Sequence, residues 1–134
     1  MRTFKNRPFT RFAAKAEIGD GQLVRTAEAA QTKPDADLGG GLVKQRIARK
    51  GGGKSGGYRA FIVLRRGDWS IFVHGFAKKD AANITKDEEK ALKKLARFYL
   101  GATEDEFQAL IDEGALTEVF DDGDEEEDQE DLQE

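Results

Sequence analysis

Residues 58–77 read YRAFIVLRRGDWSIFVHGFA. Two runs in it, YRAFIVLRR and WSIFVHGFA, are rich in β-branched and aromatic residues and apolar on both faces, and Gly67-Asp68 between them suits a two-residue hairpin turn. The stretch is therefore expected to form two paired central strands of a sheet. With a two-residue turn, Arg66 faces Trp69, Arg59 faces Phe76 and Phe61 faces His74. Directly opposed residues share a face, so Arg59, His74, Phe76 and Lys78 gather on one side of the sheet, with Arg59 and Lys78 at the end far from the turn. A turn one residue longer would put Arg59 opposite Gly75 and send His74 to the other face.

Upstream, LVKQRIAR alternates, with Val43 and Ile47 to one side and Lys44 and Arg46 to the other, as a strand with one basic face does. Phe9, Phe12, Ala13 and Ala16 recur at helical spacing behind Pro8. Leu23, Ala27 and Ala30 do so behind Asp20, up to a stop at Lys33-Pro34. These predict an N-terminal helical hairpin, followed by a loop, PDADLGGG. Downstream, Thr85 with Glu88 and Thr103 with Glu106 have capping-box spacing and predict two helices, the first with an apolar stripe of Leu92, Leu95, Ala96 and Tyr99. ALTEVF adds a short edge strand. The expected fold is α+β: a small antiparallel β-sheet with helices packed on it, in one domain over residues 1–120. Residues 121–134, DDGDEEEDQEDLQE, hold ten acids in fourteen positions and are expected to be a disordered acidic tail.

The net charge of −4 averages two parts that disagree. Residues 1–100 carry all 22 Lys and Arg against 10 acids, a net of +12, and residues 101–134 carry 16 acids and no base. A basic body of this kind favours a polyanion, most commonly nucleic acid, through counterion release. There is no cysteine, hence no disulfide framework or thiolate metal site. Neither a signal-peptide pattern nor an apolar run of membrane-spanning length is read, so a cytoplasmic protein without a membrane partner is expected.

Within ARKGGGKSGGYR, residues 48–59, ARKGGGKS fits the loosest form of a nucleotide-binding phosphate loop. Such a loop needs a helix to begin at its Lys-Ser. Here Ser55 is followed by Gly56-Gly57 and then by the strand beginning at Tyr58, so a nucleotide site is disfavoured. The glycines serve equally as a flexible connection, and Lys54 is either an idle exposed lysine or part of the cationic cluster that the strand register builds. That cluster suits attack on a phosphodiester, whose transition state spreads negative charge over phosphate oxygens. Arg59 is the natural phosphate clamp. One histidine, no thiolate and no close carboxylate set give metal-assisted hydrolysis little support, and no cofactor is expected. Metal-free RNA cleavage by the neighbouring 2′-hydroxyl remains, and it requires a base and an acid. Lysines among other cations (Lys54, Lys78, Lys79) and His74 are the candidates; the rival reading of His74 is a half-buried sheet residue. Lys44, Arg46, Arg49 and Lys50 are candidate RNA contacts. Tyr58 and Phe76 are either base-stacking platforms or core residues at strand ends.

DADLGGGLVKQRIARKGGGKSGGYRAFIV, followed by FVHGFAKKDAANI and a closing helix, resembles the RelE/ParE superfamily of bacterial toxins, in particular its HigB-like branch. The likeness covers roughly residues 1–120 and leaves the acidic tail outside. It implies a RelE-like fold, activity as a ribosome-dependent mRNA endonuclease, and neutralisation by an antitoxin, expected to be a helix-turn-helix protein encoded beside it. In RelE-type toxins a basic loop residue, the arginine of the SGYR-like strand and basic residues after the last long strand serve catalysis. Lys54, Arg59, Lys78 and Lys79 match those positions. The tyrosine that RelE uses shortly after that strand has no counterpart, the matching position falling near Ile84 and Thr85. The alternatives are a ParE-like gyrase poison and a non-catalytic RNA-binding module of the same fold.

Overall fold

The computed structural model describes residues 1–47 and 57–121. These form six strands and four helices: β1 (Arg2–Asn6), α1 (Arg7–Ala16), α2 (Asp20–Thr32), β2 (Ala36–Gly39), β3 (Leu42–Ile47), β4 (Tyr58–Arg65), β5 (Trp69–Ala77), α3 (Lys86–Gly101), α4 (Glu104–Asp112) and β6 (Leu116–Val119). The strands make one sheet in the order β2-β3-β4-β5-β1-β6. The α+β architecture is as expected. The sheet is mixed rather than wholly antiparallel, because β1 runs parallel to β5, with Phe4 beside Ile71.

Both central strands are apolar on each face because each face is covered. On one side α1 and α2 pack through Phe9, Ala13, Leu23, Ala27 and Ala30 against Val43, Ile47, Ala60, Ile62, Leu64 and Phe72. On the other, α3 brings Leu92, Ala96 and Tyr99 onto Leu42, Phe61, Val63, Ile71 and Val73, and Phe107, Leu110 and Ile111 of α4 join them. Four phenylalanines, Phe4, Phe9, Phe61 and Phe72, are fully buried, each stabilising the fold by roughly 1.5–3 kcal/mol through removal of its ring from water. The helix ends follow local chemistry. Asn6 caps α1 by accepting from Phe9 N–H at 2.9 Å, and Thr85–Glu88 and Thr103–Glu106 close the two expected capping boxes. Asp20 is the first residue of α2 rather than its cap, which is Gly19; there its carboxylate meets the positive end of the helix dipole.

The hairpin register departs from expectation twice. Arg65 pairs with Trp69, so the loop is three residues, Arg66-Gly67-Asp68. Asp68 N–H donates to Arg65 O at 3.0 Å, and Gly67 takes φ +77°. That slip is undone farther along by a β-bulge. Phe61 pairs with His74 and Ile62 with Phe72, leaving Val73 as the extra residue. Beyond the bulge Arg59 faces Phe76, as expected from the shorter turn. The bulge residue is fixed from outside the hairpin, since Asn6 Nδ2 donates to Val73 O at 3.2 Å.

Two strands were not expected from the sequence. Arg2–Asn6 is β1. Ala36–Gly39, expected as loop, is β2, an edge strand turning into β3 through Gly40 and Gly41 at φ +65° and +83°. Positive φ at both central residues is what a tight two-residue hairpin turn requires.

Candidate functional site

The site lies on the α3 side of the sheet, at the end where β3 and β4 approach residues 48–56. Register sets it out in rows across three strands. Arg46, Arg59 and Phe76 form one row; Lys44, Phe61 and His74 form the next on the same face. Facing residues on neighbouring strands have Cα atoms about 4.5–5.5 Å apart, so two arginines stand directly side by side, an unfavourable pairing by itself. The Arg59 side chain has one weak contact, from Nη1 to Tyr58 O at 3.5 Å. Among the described residues neither guanidinium, nor the ammonium group of Lys44, Lys78 or Lys79, makes an ion pair with a carboxylate; the Asp35 carboxylate accepts from the Arg46 backbone N–H at 2.6 Å. Four arginines elsewhere are committed to structure: Arg2 to Glu118 at 2.8 Å, Arg7 to the carbonyls of Glu113 and Gly114, Arg65 to Leu100 O, and Arg66 to Gln31 O. An anion placed between Arg46 and Arg59 would turn their repulsion into a two-sided clamp.

β5 delivers two more cations to the same end. Lys78 N–H donates to Gly57 O at 3.0 Å, extending the ladder by one residue. The chain then turns, with Asp80 and Ala81 N–H both donating to Ala77 O, and Lys78 and Lys79 lie exposed in that turn. Arg49, Lys50 and Lys54 lie outside the described residues, as does the GGGKS motif. The residues flanking them, Ile47 and Gly57, stand at this end of the sheet.

His74 is half-buried on the cationic face, its ring 5.9 Å from that of Phe61 and 6.2 Å from that of Phe76. At the N-terminus of α3, hydrogen bonds with Thr85, and to a lesser degree the charge of His74, hold the Glu88 carboxyl below the ordinary glutamate range. Phe76 shares the row of Arg59, half-exposed. Tyr58 does not. It points to the opposite face, where the ring of Phe12 meets it edge-on at 5.7 Å, so strand alternation separates the two aromatic candidates. Gly75 explains why this part of β5 lies so close to α1: a Cβ there would meet the Phe12 ring at 2.6 Å and the Phe9 ring at 2.9 Å. Ile84 packs into the α3-side core and Thr85 caps α3, which leaves both in structural roles. No cluster of three or more His, Asp or Glu side chains among the described residues is placed to hold a metal ion.

A family model described as the RelE toxin of the RelE / RelB toxin-antitoxin system matches residues 1–119. The chain belongs to the RelE toxin family. It is accordingly a toxin of a toxin-antitoxin system, with a cognate antitoxin as its partner. No curated protein matches the chain. The family match to this RelE-family toxin covers every strand and helix of the described residues and ends at Val119. None of the described helices is long and apolar enough to cross a membrane.

Proposed function

We propose that this toxin, of the HigB-like branch, is an endoribonuclease that cuts mRNA on the ribosome, with residues 1–120 as the toxin domain. The observation that carries the reading is the opposed pair Arg46–Arg59, neither guanidinium of which is ion-paired among the described residues, flanked by Lys44, Lys78 and Lys79 at one end of the sheet. Arg59 clamps the scissile phosphate and stabilises the charge that builds on its oxygens. The ribose 2′-oxygen attacks the adjacent phosphorus, its proton passes to a base, and the P–O5′ bond breaks as the 5′-oxygen takes up a proton. The products are a 2′,3′-cyclic phosphate and a 5′-hydroxyl. Lys54, Lys78, Lys79 and His74 are the candidates for the two proton transfers. Lys44, Arg46, Arg49 and Lys50 hold the flanking backbone, and Phe76, on the face of Arg59, stacks on a base. Tyr58 belongs to the α1-side packing and is not part of this assignment.

The test is cleavage of a defined mRNA on purified ribosomes. Arg59→Ala is expected to lower the rate ~100- to 1000-fold, the loss that follows removal of one donor to a charged transition state, while the circular dichroism spectrum stays that of the wild type. Full activity in this variant would remove Arg59 from the chemistry.

A further inference from the structure

Helix α3 carries a second cationic surface that the sheet site does not use. At about 100° per residue, Lys86, Lys90, Lys94 and Arg97 fall within about 80° of arc, on the side away from the apolar stripe of Leu92, Ala96 and Tyr99. All four are exposed. Among the described residues none has an acid partner; neighbouring Lys93 has Glu89, at 3.3 Å. The ridge is about 16 Å long. Lys86 and Lys90 stand in the first turns, where the helix dipole disfavours cations, so helix stability does not explain them.

The two ends of the ridge have different neighbours. Its beginning follows Ile84, which packs against the same α3-side core as Phe76 of the sheet site. Its far end is tied to the opposite edge of the hairpin, where Leu100 O accepts from Arg65 at 2.7 Å. Arg65 pairs with Trp69, Trp69 with Arg2, and Thr3 with Val119, so β6 finishes at that same end. There Asp121 meets Arg25 at 3.5 Å, and the chain continues for thirteen residues, Asp122–Glu134, nine of them acidic. Thirteen residues span up to about 45 Å, enough to round the β6 edge and run the length of the ridge. The sheet site lies at the other end of β5, about 30 Å away, and Lys44 and Arg59 are half-buried there.

We propose that the acidic segment Asp122–Glu134 docks on the Lys86–Lys90–Lys94–Arg97 ridge of α3 and restrains the toxin by keeping polyanions from the approach to the sheet site. The restraint rests on the nuclease reading; the docking does not. A tethered segment has an effective concentration on the order of 1 mM, against an intrinsic Kd of ~100 μM for exposed, non-specific charge contacts, which gives about tenfold competition.

Zero-length carbodiimide cross-linking of the full chain tests the docking. The expected result is links within one molecule from Lys86, Lys90 or Lys94 to carboxylates of 122–134, lost at ~1 M salt where the Debye length falls to ~3 Å. Links to Lys44, Lys78 or Lys79 alone, links only between two molecules, or none at all would overturn it. A binding cycle with a labelled single-stranded RNA tests the restraint. Truncation after Asp121 should tighten binding about tenfold at low salt in the otherwise unaltered chain, and leave K86Q/K90Q/K94Q/R97Q unchanged. A tenfold gain that persists in the fourfold variant overturns the assignment and leaves an acidic antitoxin peptide or RNA as the better occupant of the wild-type ridge, and the absence of any gain overturns it too. Failure of mRNA cleavage would sink the nuclease reading and leave the cross-links untouched.

Discussion

Arg46 and Arg59 face each other across β3 and β4, and neither guanidinium is ion-paired to a carboxylate among the described residues. Like charges so placed cost about 0.2–1 kcal/mol. Arg46→Ala is therefore expected to leave the fold as stable as the wild type or slightly more so while weakening RNA binding, a divergence measurable by urea titration beside a binding isotherm. Loss of stability in this variant would make Arg46 a structural residue. Gly75 has the opposite signature. Gly75→Ala drives a methyl into the Phe12 and Phe9 rings and should cost about 1–3 kcal/mol of stability, as overpacking does; a melting temperature equal to that of the wild type would contradict the packing described. At this scale part of the arrangement is legible in the sequence, since strand alternation puts Lys44 and Arg46 on one face of β3 and the hairpin count puts Arg59 opposite Phe76, whereas the pairing of Arg46 with Arg59 needed the β3–β4 register. The same alternation separates Tyr58 from Phe76, yet an aromatic at a strand end gives no sign of which face has room for it until Phe12 is in place.

At the scale of the element, the β4–β5 hairpin reaches the expected site by an unexpected path. A loop one residue longer and a bulge one residue wide cancel, so Arg59 still meets Phe76. The bulge was hidden because its cause is remote: the carbonyl of Val73 bonds to Asn6, sixty-seven positions away. β1 was hidden for the same kind of reason. RTFKN is short, and its pairing with β5 is parallel and distant in sequence, so no turn announces it. The helices were easier, because caps are local. Thr85→Ala removes the acceptor for Glu88 N–H and should cost about 1 kcal/mol, seen as a lowered urea midpoint with an unchanged slope. No shift in the midpoint would mean that α3 is held by its apolar stripe alone.

For the whole molecule, the parallel β1–β5 pair and the antiparallel β1–β6 pair close the sheet at the far edge, and a bidentate bond from Arg2 to Glu118 ties them. That hydrogen bond, with the charge of Arg2 behind it, holds the Glu118 carboxyl below its ordinary value, as Thr85 does for Glu88. A depressed carboxyl stabilises the fold above its unfolded pKa of about 4.3 and loses that contribution as pH falls through the folded value. Thermal stability should thus hold steady from neutrality to about pH 5 and decline below about 4.3. Glu118→Gln should flatten part of that decline, and an unchanged acid limb would deny the tie between β1 and β6 its role.

The basic body and acidic end were visible from charge counting, whereas the position of the α3 ridge relative to the end of β6 needed the fold. The central claim, that the cationic end of the sheet cuts translated mRNA, is tested most directly by mapping mRNA 5′ ends in cells after induction of the toxin without its antitoxin. The account predicts new ends inside translated codons, bearing 5′-hydroxyls, and their absence with Arg59→Ala. Intact mRNA and continuing translation while DNA synthesis stops would contradict it.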